Sequence, residues 1–249
     1  MNNPFSLENK TVLITGASSG IGKSVSIECA KMGAKVIITG RNENRLKDTF
    51  NELEGDGHDM IVADLSNMND IKELANECSK LDGISHNAGI AKIVPVKFVN
   101  KDDLDNILFT NATGPIFLTQ MLLRSKKIKN NASVVFTSSL SGIYCVHYGE
   151  SMYAASKGAL SGFAKGAALE LAAQGIRVNC VNPSIIQTHI FETTGVLSDE
   201  ELKEKIKNYP LRRLGVPTDV SYAIIYFLSD ASSWVTGNDL KIDGGYTLI

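Results

Sequence analysis

The sequence predicts a doubly wound α/β fold, a single seven-stranded parallel sheet with helices on both faces. Three observations carry the prediction. Short β-branched apolar runs recur along the chain, most are separated by helical stretches of ten or more residues, and no linker, repeat or low-complexity tract interrupts them. The runs are apolar on both faces, as strands covered from two sides must be. With 249 residues, 43% hydrophobic and 21% charged, the chain has material for one large core, so residues 1–249 read as a single domain.

The elements follow in order. Strands are expected at 11–15, 35–39, 60–63, 83–86, 133–137, 177–181 and 240–242. The first opens, through Gly16, Ser18, Ser19, Gly20, Ile21 and Gly22, into a helix reaching Met32. Glycines there permit a tight turn and a close approach of backbone to a pyrophosphate, and the helix start offers free amides and a positive dipole. The second strand ends Thr39-Gly40-Arg41-Asn42 and the third leads into Asp64-Leu65. A long helix over 102–126 contains Asn111. In parallel sheets ligands lie beyond the carboxyl ends of strands. The segments 140–151 and 188–215 are therefore expected to wall a pocket, the second as a lid. It carries an amphipathic helix at 198–208 whose Ser198 and Glu201 form a capping box.

Other classes find little support. The formal net charge is −2, with basic residues scattered, which gives no reason to expect nucleic acid or an anionic membrane. No apolar run approaches the roughly 20 residues needed to span a bilayer. The N-terminus lacks a signal-peptide layout. Cys29, Cys78, Cys145 and Cys180 lie far apart without metal spacing, and the four histidines do not cluster. Reduced thiols, a cytoplasmic location and no metal site are expected.

Two local features point to chemistry. The end of the second strand, where NAD-binding folds carry an acidic residue on the ribose 2′-hydroxyl, here has Gly40 followed by Arg41. A guanidinium there would bind a 2′-phosphate, so NADP(H) is favoured over NAD(H). Tyr153 and Lys157 stand four residues apart on a helix and so project from one face. A nearby ammonium favours the phenolate, and bringing a phenol from about 10 to neutrality requires roughly 4 kcal/mol, which the lysine, a cationic cofactor ring and a desolvated site are expected to supply together.

With these pieces in order, the sequence resembles the short-chain dehydrogenase/reductase family over essentially its whole length. The matching motifs are 15–22, Asp64, Asn87-Ala88-Gly89, Asn111, Ser139, Tyr153 with Lys157, Asn182-Pro183 with Thr188, and Asp243-Gly244-Gly245. The resemblance implies a Rossmann fold and interconversion of a ketone and a secondary alcohol by hydride transfer. Tyr153 would be the general acid or base and Ser139 would hold the substrate oxygen, chosen over Ser138 because Gly142 completes the family's Ser-x-x-Gly phrase. Lys157 would hold the nicotinamide ribose, and Asn111 would anchor a water leading to Lys157. Asp64, Leu65, Asn87, Ala88 and Gly89 would border the adenosine. Pro183, Ile186 and Thr188 would fix the nicotinamide. Tyr144, His147 and Tyr148 serve equally well as substrate contacts or as packing.

Four departures stand out: His86 where the pattern has asparagine, Ser184 where it has glycine, Ser19 where many NADP-dependent members have arginine, and a Ser139-to-Tyr153 interval longer by one residue. The closest subgroup in style is the 3-oxoacyl-(acyl-carrier-protein) reductases. Two positions where carrier-dependent members have arginine hold Asn130 and Gln174, with Lys126, Lys127 and Lys129 near enough to substitute. That pattern favours a free small ketone, a sugar or a secondary metabolite as substrate. The small residues of the tyrosine helix suggest a helix-to-helix dimer contact, and the resemblance implies a homotetramer. A non-catalytic NADP-binding regulator should lack Tyr153, Lys157 or Ser139, and all three are present. A dehydratase or epimerase of the extended relatives should be longer.

Overall fold

A computed structural model describes residues 3–188 and 204–248. Seven parallel strands form one sheet in the order β3-β2-β1-β4-β5-β6-β7. They are β1 (Thr11–Thr15), β2 (Lys35–Gly40), β3 (Asp59–Val62), β4 (Leu81–His86), β5 (Ile128–Thr137), β6 (Arg177–Pro183) and β7 (Asp239–Ile242). Every expected strand is present. β5 begins five residues early, because its first turns pair only at Leu81↔Ile128 before a register shift to Gly83↔Ser133. Chain order reverses between β1 and β4, the point where such sheets open a crevice at their carboxyl edge.

Strand alternation divides the core into two layers. Leu13 and Ile37 point to one face, where Ile71, Leu74, Leu118, Leu122 and Leu160 meet them. Their neighbours Val12, Ile14, Val36 and Ile38 point to the other, against Val25, Val220 and Ile224. The helices flanking the sheet are α1 (Gly20–Lys31), α2 (Glu43–Asn51), α3 (Met68–Glu77), α4 (Lys101–Leu108), α5 (Gly114–Arg124), α6 (Ser151–Leu171) and α7 (Pro217–Leu228). α7 starts at a proline, and the Asp219 carboxylate accepts from the Val216 amide at 2.8 Å, closing the helix entrance.

The helix expected over 102–126 is interrupted. Phe109–Thr113 forms a π turn between α4 and α5. Gly114 and Pro115 follow it, and a Cβ at Gly114 would stand 2.5 Å from the Leu65 carbonyl. The wider turn admits this close approach, and it places Asn111 at the break. The capping box at Ser198 and Glu201, the first part of the 198–208 helix and the middle of the 188–215 lid fall outside the described residues. Among the described residues, no helix is long and apolar enough to cross a membrane.

Candidate active site

The glycine-rich turn joins β1 to the N-terminus of α1 at the carboxyl edge of the sheet. Gly22 is required by contact: a Cβ there would lie 2.3 Å from the Gly16 carbonyl oxygen. Gly16, at φ +66°, passes so near the β4 exit that a Cβ would meet Ala88 Cα at 2.8 Å. Ser19 caps α1 without a side-chain hydrogen bond, which leaves the first-turn amides available as donors. A cavity of about 470 Å³ opens above this turn. Gly16, Ser18, Ser19, Gly20, Ile21 and Gly22 form its floor, while Arg41, Asp64, Leu65, Asn87, Ala88, Gly89 and Thr188 form its walls. Pro183, Ile186, Tyr153 and Lys157 are not among its lining residues.

The cavity also includes Arg45 and Thr110, which no motif marks, and Thr39 at the end of β2. Arg45 sits in the first turn of α2, held by the Asn42 side chain accepting from its amide at 3.0 Å. A cation at a helix N-terminus opposes the dipole, and that misplacement was the available signal. Thr39 is fully buried and its hydroxyl has no partner in the protein. A glycine cradle, free helix amides, two guanidinium groups and a buried unpaired hydroxyl fit the phosphates of a dinucleotide. Asp64 directs one carboxylate oxygen to Ser66, accepting from its amide at 2.9 Å and its hydroxyl at 2.8 Å.

Beside the cavity, the ends of β5 and α6 bring Ser139, Tyr153 and Lys157 together. Gly142 allows it: a Cβ there would meet the Ala154 carbonyl at 2.2 Å, so only glycine lets the loop lie on the first turn of α6. Ser138 turns away and donates to the Lys157 carbonyl at 2.9 Å, whereas the Ser139 oxygen accepts from the Ser141 amide at 3.1 Å. Lys157 is buried, donates from Nζ to the Thr137 carbonyl at 2.7 Å, and lies 5.7 Å from the Tyr153 ring centre.

The protein's own groups alone do not acidify the phenol, and the cationic cofactor ring is the remaining contributor to the expected shift. Burial pushes Tyr153 up to about 12, while Ser139, facing the phenol, pulls the other way. Burial also brings Lys157 down to about 8. Its ammonium is directed at a backbone carbonyl rather than at the phenolic oxygen, so desolvation prevails.

Asn111 is fully buried on the π turn. Its amide donates to the Ile90 carbonyl at 2.9 Å and to Ser156 Oγ at 3.0 Å, and its oxygen accepts from the Ile90 amide at 2.8 Å. With the side chain so engaged, a water at this position would rest on the main chain. His86 points away from the cavity into the core, where it stacks on Phe136 at 4.7 Å and pairs with Thr119 at 2.9 Å. Tyr144 belongs to packing, since its hydroxyl donates to the Asp239 carbonyl at 2.9 Å. Tyr148 is exposed, and His147 lies against Tyr246, ring centres 5.9 Å apart. Among the described residues, no group of three or more His, Cys, Asp or Glu is disposed to hold a metal.

The basic docking residues sought from the sequence lie elsewhere. Asn130 is near the amino end of β5, about 23 Å of strand from Thr137, and Gln174 ends the short turn just ahead of β6. Within one chain they stand at the edge opposite the catalytic trio. Lys127 is bonded to the Cys78 carbonyl and Lys129 is paired with Asp82 at 2.7 Å, so neither is a free docking cation.

A family model described as enoyl-(acyl carrier protein) reductase matches residues 16–247. The chain belongs to the short-chain dehydrogenase/reductase family. It is 33% identical over 243 residues to the 3-oxoacyl-[acyl-carrier-protein] reductase FabG of Rickettsia prowazekii, covering 98% of this chain and 99% of that one. The Thermotoga maritima FabG is 35% identical over 248 residues, covering 97% and 99%. Among solved structures, one titled a putative NAD(P)-dependent gluconate 5-dehydrogenase from Beutenbergia cavernae, with bound NADP at low occupancy, superposes with TM-score 0.90 at 27% identity over 99% and 100% of the two chains. As a member of the short-chain dehydrogenase/reductase family, the protein is an oxidoreductase with a Rossmann-like fold.

Proposed function

We propose that the protein reduces a ketone to a secondary alcohol with NADPH, Tyr153 supplying the proton. The observation that carries this reading is the convergence of Ser139, Tyr153 and Lys157 beside the glycine-floored cavity. When bound, the nicotinamide supplies the hydride, and the protein's groups do the rest. Ser139 holds the carbonyl oxygen and the Tyr153 phenol donates to it as charge develops there. A phenol at about 12 is fully protonated at neutral pH, which suits it to the reductive direction. The buried Lys157 ammonium compensates the phenolate that donation leaves behind and holds the ribose hydroxyls. Asn111 marks the route by which protons return. Ile186, Pro183 and Thr188 set the nicotinamide face.

NADP(H) is preferred over NAD(H) because Arg41 and Arg45, neither of them ion-paired among the described residues, line the cavity beside the end of β2. For the substrate we favour a free ketone, since Asn130 and Gln174 are uncharged and Lys127 and Lys129 are already bonded to Cys78 and Asp82, which leaves Lys126 alone of the three lysines without a side-chain partner among the described residues. The chain is read as one domain that assembles through α6. A Cβ added at Gly162 or Gly166 would have nothing within 4 Å, and Leu169 on the same face is 82% exposed. These features support a dimer contact within a homotetramer, and a monomer by light scattering would contradict it.

The decisive experiment follows NADPH absorbance with free and carrier-linked 3-oxoacyl substrates, other ketones, and an enoyl thioester. We expect ketone turnover, and a fall of about 10²- to 10⁴-fold in Tyr153→Phe with NADPH affinity retained. Equal turnover in Tyr153→Phe overturns the mechanism. A marked preference for the carrier-linked substrate overturns the substrate assignment, and reduction of the enoyl thioester alone overturns the reaction.

A further inference from the structure

Position 184, where the family pattern has glycine, holds a serine with a specific partner. Ser184 Oγ lies 2.8 Å from the Tyr209 hydroxyl. Tyr209 is 2% exposed, and its ring centre is 5.2 Å from that of Tyr246. Ser184 has no left-handed backbone, so its side chain is accommodated without strain. Main-chain bonds hold the surroundings: Gln187 N donates to the Gly215 carbonyl at 2.9 Å, Gly215 N to Ile185 at 3.2 Å, and Leu211 N to Gly244 at 3.1 Å. A Cβ at Gly245 would lie 2.8 Å from Pro210, so the turn at 244–245 packs directly on the segment that carries Tyr209. The stretch 184–188, which leaves β6 and reaches the cofactor cavity at Thr188, is thus joined to 209–215 by backbone pairing and by the Tyr209 hydroxyl, which meets the Ser184 hydroxyl and the Ile185 main chain.

We propose that Ser184 and Tyr209 are a positioning pair, whose hydroxyl contact sets where Ile186 and Thr188 stand against the nicotinamide end of the cofactor. The inference rests on the nicotinamide reading above and adds residues that touch neither substrate nor cofactor. Without the Ser184 oxygen, the Tyr209 hydroxyl would keep only the Ile185 main chain as its link to the 184–188 stretch.

The test compares Tyr209→Phe, which keeps the ring packing, with Ser184→Ala and the double variant. Three quantities are read: NADPH affinity by fluorescence, affinity for 2′,5′-ADP as an adenine-end fragment, and kcat against KM for a ketone. We expect each single variant to weaken NADPH and lower kcat by about 3- to 10-fold, from the net worth of one hydrogen bond. The double variant should be no worse than the worse single, and 2′,5′-ADP should bind all forms alike. NADPH affinity and kcat within twofold of wild type, effects that multiply in the double variant, or equal loss for the fragment would each overturn the pair. Wild-type protein that binds neither nucleotide would refute the nicotinamide reading itself, whereas wild-type binding with indifferent variants refutes the pair alone.

Discussion

Gly22→Ala tests the cofactor cradle with a single methyl group. The new Cβ would lie 2.3 Å from the Gly16 oxygen, 2.6 Å from its carbonyl carbon and 3.0 Å from the Thr15 oxygen. Ordinary contact begins near 3.4 Å, so about 1 Å of separation must be found between two backbone segments. No side chain can swing aside to provide it. Either the turn after β1 opens or α1 slides along α7, against which it is packed through Ser24 and Ser221 at 3.1 Å. Overpacking of this kind costs about 1–3 kcal/mol. Opening the turn moves the amides of Ile21 and Gly22, so the same strain weakens dinucleotide binding by roughly 5- to 150-fold. Fluorescence titration of NADPH gives the affinity and thermal unfolding gives the stability. Lys72→Ala, at an exposed position of α3, is the control. It should leave nucleotide binding unchanged. If Gly22→Ala binds NADPH as wild type does, the cradle reasoning is wrong.

Arg41→Ala should weaken NADPH by about 10- to 100-fold, the worth of hydrogen bonds to a charged group, and leave NADH within twofold. Added salt should narrow the gap, and equal losses for both nucleotides would refute a 2′-phosphate contact. Ketone reduction should decline as pH rises through about 8, where the Lys157 cation is lost, and a profile flat to pH 10 would remove that lysine from the mechanism. The same lowered value means that Lys157 burdens folding below about pH 8 and ceases to do so as pH rises towards the value of a free lysine. His86 is held neutral, brought down to about 3 by burial, so its contribution to stability is complete above pH 6.5 and is lost as pH falls towards 3. Protonating it in place costs on the order of 5 kcal/mol. His86→Asn should therefore flatten the loss of stability between pH 6.5 and 4 in denaturant titrations, and an unchanged slope would contradict this.

Strand positions were legible because strands covered on both faces must be continuously apolar, and the runs around Ile14, Ile38 and Val135 leave no other reading. The glycine turn was legible because its spacing answers to contacts made within a few residues, as Gly22 against Gly16 shows. The π turn at Phe109–Thr113 was not, since it depends on Gly114 approaching Leu65 from a distant segment. Arg45 was passed over for a related reason. Its place at the cavity depends on how α2 is set against β2, which the order of residues along one helix does not reveal.

The phenol shows where spacing stops short of chemistry. Tyr153 and Lys157 share a helix face as their separation requires, yet the ammonium turns to the Thr137 carbonyl and burial raises the phenol instead of lowering it. Spacing fixes which groups meet, whereas the balance of desolvation and charge depends on everything that encloses them. In this site the enclosure favours a neutral phenol beside a lysine already half inclined to lose its proton near pH 8. Such a pair is set to give a proton to an oxygen that gains negative charge.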